Sequence, residues 1–349
     1  MHFLRFFSLF LSLHILGYAQ VETENLSSCN SASIPSASSH SDFVVEGKFL
    51  YLQAEEEGLA YGSRSQITST APTGLGVSDE GTISPGYHPG LSLSIGTNER
   101  EKNWDFYLRW TYFQQTSTSF LSAQTGKHVW PFWLNNSQTS NAVVPIANSA
   151  SASWNLHCNV ADIEMGSSFS PSEHLSLRPF FSVRGAWIAQ KFNATYNSVN
   201  FSDLFLIPSI TSYNTNHFQG YGLRIGMDSF WDMGVGLSLF VTGSASLLSG
   251  YFSLSQQEIM SDGTLRSDIQ NANLAIGIPE VDLLGGIVWQ TRFQCDRYLL
   301  RLYTAWQQQV WFHQNQFNRF IDSVNRGGLL SEKGNLSLGG LVVGAMFGF

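Results

Sequence analysis

Apolar residues recur at every second position through most of this chain, yet they nowhere run together for long enough to cross a bilayer as a helix. Trp104, Phe106, Leu108, Trp110 and Tyr112 stand on one face of an extended segment, with Asp105, Arg109 and Thr111 on the other. Strict alternation of this kind marks a strand whose two faces meet different surroundings. It returns in Phe43, Val45, Phe49 and Tyr51 against Glu46 and Lys48, and in Leu91, Leu93 and Ile95 against Ser92 and Ser94. Leu175, Leu177, Phe181, Val183 and Trp187 alternate with Ser176, Arg178, Ser182 and Arg184. Further segments centre on Leu223 and Ile225, on Val235, Leu237, Leu239 and Val241, on Leu283 and Ile287, on Leu300 and Leu302, and on Val343 and Phe347. One stretch is less regular: Trp154, Leu156, Cys158 and Val160 change phase to Ile163 and Met165, which predicts a β-bulge near Val160.

The connections sort by length. Short ones over residues 97–102, 170–173, 229–233 and 294–296 alternate with long ones over 54–84, 115–152, 191–217, 253–278 and 314–334. Short periplasmic turns and long extracellular loops are the asymmetry of a transmembrane antiparallel up-and-down β-barrel. The segments give about ten strands, an even number that returns both termini to the periplasmic side. Twelve or more strands stay open, because the long connections have room for another pair around Phe192 and Phe201 or Tyr251 and Ile259.

Composition bears on the choice between such a barrel and a secreted β-sandwich. Hydrophobic residues make up 43% of the chain and charged residues only 13%, against a usual charged share of about 25%. A water-soluble surface needs more charge, whereas a barrel in lipid does not. The aromatic share of 14% suits girdles at both membrane interfaces.

The N-terminus reads as an export signal. Arg5 precedes an apolar run from Phe6 to Ile15, and Gly17, Tyr18 and Ala19 supply a small-x-small cleavage site. The expected organisation is a signal peptide over 1–19, a Ser- and Asn-rich periplasmic lead-in over 20–41 and an outer-membrane barrel over 42–349. Removing the signal takes Arg5 away and leaves 17 basic residues against 26 acidic, a net charge of −9. An acidic envelope protein is not expected to bind nucleic acid.

No linear motif for catalysis is present. The glycines at 220, 222 and 226 lack nucleotide-loop spacing, no Gly-x-Ser-x-Gly elbow occurs, and the three cysteines (Cys29, Cys158, Cys295) and nine histidines show no zinc spacing. No enzyme activity, cofactor or metal is expected. Cys158 and Cys295 fall in different halves of the predicted barrel, too far apart to pair.

Charges on the faces assigned to the lumen form the informative set: Glu46, Lys48, Asp105, Arg109, Arg178, Arg184, Arg224, Asp228, Asp282, Arg292 and Arg301. A charge on the lipid face costs about 2 to 4 kcal/mol near the midplane for Arg or Lys, so these positions fix inside and outside. Either they line a pore and set its ion selectivity, or acids and bases pair across a narrow lumen and fill it. The aromatic cluster Trp130, Pro131, Phe132 and Trp133 lies in the longest connection. It either enters the barrel mouth, contacts an outside surface, or packs the loop on itself. The last strand ends on Phe347 and Phe349, which matches the terminal signature that barrel-assembly machinery reads.

These residues carry a family resemblance. The strand from Glu46 to Gly62, the block from His174 to Phe192 with Leu177, Arg178, Pro179, Phe180, Arg184, Gly185 and Trp187, the segment from Gly220 to Gly234, and the Gly-rich last strand resemble the Legionella-type major outer membrane protein family, with relatives among chlamydia-like bacteria. The resemblance spans nearly all of the mature chain. It implies a pore-forming barrel in the bacterial outer membrane for passive diffusion of ions or small solutes, embedded in outer-membrane lipid and abundant at the surface. The alternative is a surface-exposed structural or adhesive barrel with a largely closed lumen. A homo-oligomer is left open by analogy with trimeric porins. Three cysteines depart from the cysteine-rich chlamydial pattern, which puts covalent cross-linking in doubt.

Overall fold

The computed structural model describes residues 41–66, 79–99, 104–135, 145–201, 205–293, 298–320, 329–331 and 333–349. The signal peptide and nearly all of the lead-in assigned above lie outside the described residues, as do Cys29 and Cys295.

Ten long strands make the wall: β1 (Ser41–Glu56), β2 (His88–Glu99), β3 (Trp104–Ser122), β4 (Ser149–Ser167), β5 (Leu175–Phe201), β6 (Phe205–Gly234), β7 (Leu237–Met260), β8 (Leu265–Phe293), β9 (Tyr298–Trp311) and β10 (Leu336–Gly348). Each pairs antiparallel with its neighbours in sequence, and β10 returns to β1 from Val44 opposite Gly348 to Glu56 opposite Leu336. The sheet is a closed, all-β, up-and-down barrel without a free edge. Gly62–Gln66, Asp79–Gly81 and Lys127–Pro131 form a small separate sheet.

Outward apolar side chains sit between two aromatic girdles. Phe43, Trp104, Trp231 and Phe349 mark the end with the short turns, and Tyr51, Trp110, Tyr221 and Tyr251 mark the other. On β6 the distance from Trp231 to Tyr221 is roughly 25 Å, at a rise of about 3.3 Å per residue and a tilt near 40°, which matches the lipid-facing band of outer-membrane barrels.

Beyond the outer girdle the strands continue and their faces exchange polarity. On β5, Phe181, Val183 and Trp187 face outward, while Ser182 and Arg184 are buried inside. Further along the same strand, Lys191 and Asn193 face outward and Phe192, Ala194 and Tyr196 are fully buried. Water has replaced lipid outside, so the outer face becomes polar and the inner face becomes a buried core that mixes large apolar side chains with carboxamides, where each buried Phe or Leu contributes about 1.5–3 kcal/mol.

This exchange explains where the sequence pattern misled. Residues 191–217 and 253–278, expected as loops, are mostly the outer halves of β5 to β8. They add no further strand pair. The phase change in β4 is no bulge: its register against β3 and β5 runs without a break, and Asp162 and Glu164 take the inward positions that Trp154 and Leu156 hold higher up. The turn expected over 229–233 falls instead at Gly234, Val235 and Gly236, all at positive φ, and Val235, expected inside a strand, is 97% exposed there.

Candidate lumen site

Two zones stack inside the barrel. The lower one is a cavity of about 430 Å³ that reaches Ser170, Glu173 and His174 at the periplasmic end and has Leu52, Phe113, Val160 and Leu338 at its upper edge. Its wall is charged because the surrounding strands must face lipid with every other residue, leaving the alternate positions free to carry ions.

Ten of the eleven charges singled out from the sequence line this cavity: Glu46, Lys48, Asp105, Arg109, Arg178, Arg184, Arg224, Asp228, Asp282 and Arg301. Arg292 does not. It shares the inward parity of β8 but lies near the periplasmic end, where the strand has passed the cavity and the side chain is exposed.

Glu164 is the hub. It pairs with Arg178 at 2.8 Å and Arg109 at 3.5 Å and accepts a hydrogen bond from Arg224 at 3.2 Å. Arg178 also pairs with Asp105 and with Asp228 at 2.8 Å. Arg184 joins Asp162 at 2.7 Å to Glu280 at 2.8 Å. Arg224 reaches Asp282 at 3.9 Å, and Lys48 meets Glu46 at 3.6 Å. Arg301 is held differently, donating from Nε to Gln290 Oε1 at 3.0 Å and lying over the Phe230 ring. Asp162, Glu164 and Glu280 were missed in the sequence. Asp162 and Glu164 stand in the segment whose phase change suggested a bulge, and Glu280 shares the inward parity of Asp282, which was the signal available.

The upper zone is a plug. The segment from Lys127 to Asn135, here called the strap, turns into the barrel mouth and buries Val129, Trp133 and Leu134. Trp133 is 0% exposed, with ring centroids 4.8 Å from Phe192 and 6.1 Å from Phe317. Its indole Nε1 donates to the Ala60 carbonyl at 2.7 Å, and its backbone N–H donates to the Tyr196 hydroxyl at 3.3 Å. That hydroxyl in turn donates to the Tyr61 carbonyl at 2.5 Å. Of the readings open for the aromatic cluster, the geometry selects entry into the mouth.

Above the outer girdle Glu258 is buried beside the strap. Burial pushes its carboxyl up to about 7, against the pull of Arg266 and the Asn135 N–H. The described residues contain no group of His, Cys, Asp or Glu arranged to hold a metal ion.

A closed antiparallel barrel with a lipid-facing apolar band and a charged interior defines a bacterial outer-membrane β-barrel protein. The family model described as Legionella pneumophila major outer membrane protein precursor matches residues 33–349, and the chain belongs to that family. No curated protein matches. Solved structures similar to this chain include the outer membrane protease OmpT from Escherichia coli, at 8% identity over 88% of this chain and 96% of that one, TM-score 0.41. Others are the deltaS2S3 mutant of the monoaromatic hydrocarbon channel TodX, at 9% identity over 89% and 91%, TM-score 0.31, and a Pseudomonas aeruginosa FadL homologue, at 7% over 88% and 90%, TM-score 0.26.

Proposed function

We propose that this barrel is a pore-forming protein for passive diffusion of ions or small solutes, which rests closed at its outer mouth. What supports the reading is the contrast between the two zones. The charged lower cavity is large enough for solvent and reaches the residues at the short turns, and the barrier above it includes Trp133, carried by a strap that is not one of the ten wall strands. With acids and bases interleaved around the cavity, no strong preference for one sign of ion is expected. The lipid band serves as the outer-membrane anchor, Phe347 and Phe349 serve as the signal to barrel-assembly machinery, and no catalysis is assigned.

The test is conductance in planar bilayers. Trp133→Ala removes the ring that fills the mouth and should convert a mostly silent protein into one with discrete conductance steps. The second reading, a structural or adhesive barrel with a closed lumen, draws on the extensive ion pairing and on Trp154, Phe218 and Phe252 buried from the wall itself. A folded, inserted Trp133→Ala protein that never conducts would favour it. Removing the outer segments by proteolysis should then abolish attachment while the barrel resists digestion.

A further inference from the structure

The strap is held differently at its two ends. Lys127–Pro131 belongs to a β-ladder with Gly62–Gln66. At the far end the backbone of Asn135 is gripped by side chains: its N–H donates to Glu258 Oε1 at 2.5 Å, and its carbonyl accepts from Arg266 Nη2 at 2.7 Å. Arg266 and Glu258 meet at 3.4 Å, both buried. The β7–β8 ladder that carries this pair is irregular at Phe252/Ser253 and again at Glu258/Ile259.

The interior beside the clamp is polar and unsatisfied. Asn214 stands opposite Gln256 in the β6–β7 ladder, and Asn216 donates its side-chain amide to the Gln314 carbonyl at 2.9 Å. Oδ1 of both asparagines, and both side-chain polar atoms of Gln256 and Gln314, are buried without a hydrogen-bond partner. Such groups are costly to keep dry and are satisfied as soon as water reaches them. Burial of Trp133 and Leu134 favours the strap staying in, whereas hydration of these carboxamides would favour its leaving.

We propose that the strap is a gate that opens on the β6–β8 side, where Glu258 and Arg266 release Asn135 and water enters among Asn214, Asn216, Gln256 and Gln314. Its role as a gate for solutes rests on the pore reading above, but its motion does not.

The clamp also gives the gate a pH dependence. Among the described residues Arg266 on β8 is the charged group facing Glu258; Ser212 opposite on β6, Gln256 on the same strand and Asn135 on the strap carry no charge. The closed form takes up a proton near pH 7, whereas an open, hydrated Glu258 does so near its ordinary 4.5. Closure is therefore most favoured below about pH 4.5, weakens by at most about tenfold per pH unit as pH rises toward 7, and changes little above that.

The experiment uses the refolded full chain carrying Leu134→Cys, with Cys29, Cys158 and Cys295 changed to Ser. Modification by a water-soluble maleimide is followed from pH 5 to 8, each rate divided by that of the denatured protein to cancel thiol ionisation. The expected result is a normalised rate that rises by tens of fold between pH 5 and about 7 and levels off by pH 8, and a slow, flat profile in Glu258→Gln. Should that variant not fold, Arg266→Gln is used instead; it removes the counter-ion and should move the rise to higher pH. A flat wild-type profile, or a rise that persists unchanged in the variant, overturns the gate. Conductance of the same samples separates the two ideas: gated labelling without conductance refutes the pore, and conductance without gated labelling refutes the gate.

Discussion

Phe43 and Phe349 exchange both of their backbone hydrogen bonds, each at 2.9 Å, and stack their rings at 6.3 Å between centroids, on the seam where the last strand meets the first. Phe347 continues the contact to Tyr298 and Phe293, so a ladder of outward rings crosses the closing strands at the periplasmic girdle.

Phe349 is 52% exposed, so Phe349→Ala removes a partly lipid-facing ring and a stacking contact of about 0.5–1.5 kcal/mol. The backbone pairing that closes the barrel survives the change. Heat stability of the refolded variant should fall slightly, whereas outer-membrane yield in cells should fall sharply if the ring is also the assembly signal. Normal yield in cells would refute that role.

Glu164 is 2% exposed and faces Arg109, Arg178 and Arg224. Glu164→Gln leaves those guanidinium groups without their shared acid and should lower stability to denaturant by about 3–5 kcal/mol, the range for breaking a buried ion pair. Arg292→Ala, at an exposed position, should stay within about 0.5 kcal/mol. Equal losses in the two variants would contradict the network.

At Gly236 φ is +75° and an added Cβ would come within 2.3 Å of the Gln290 carbonyl oxygen. At Gly263 φ is +83° with open space around it. Gly263→Ala should cost about 1–2 kcal/mol for the left-handed conformation alone. Gly236→Ala should cost more, read as the difference in denaturant midpoints.

Much of the wall was legible in the sequence because lipid imposes one rule on outward positions, and Trp104, Phe106, Leu108 and Trp110 obey it. The outer halves of β5 to β8 obey the opposite rule, since water lies outside them, and residues 191–217 and 253–278 therefore read as long connections rather than as wall. Glu164 was hidden for a related reason: its strand changes surroundings at Val160, and the change resembled a break in the backbone. The grip of Glu258 and Arg266 on Asn135 joins residues far apart in sequence through a backbone N–H and a carbonyl. No periodicity encodes such a contact. Trp133 was visible as part of a cluster, but its destination depended on how the strap folds.

The continuity of β5 through both surroundings is tested by single cysteines placed from Phe181 to Asn197. Odd positions face outward along this strand and even positions face inward. Odd-numbered probes up to Trp187 should be quenched by brominated lipid, and those from Lys191 onward should react with a water-soluble reagent, while even-numbered probes from Ser182 to Tyr196 remain protected or respond only from the lumen. Even-numbered probes beyond Gln190 that react from the outer solvent as fast as their odd neighbours would contradict the account, because they would place a loop where the strand and its buried core should be.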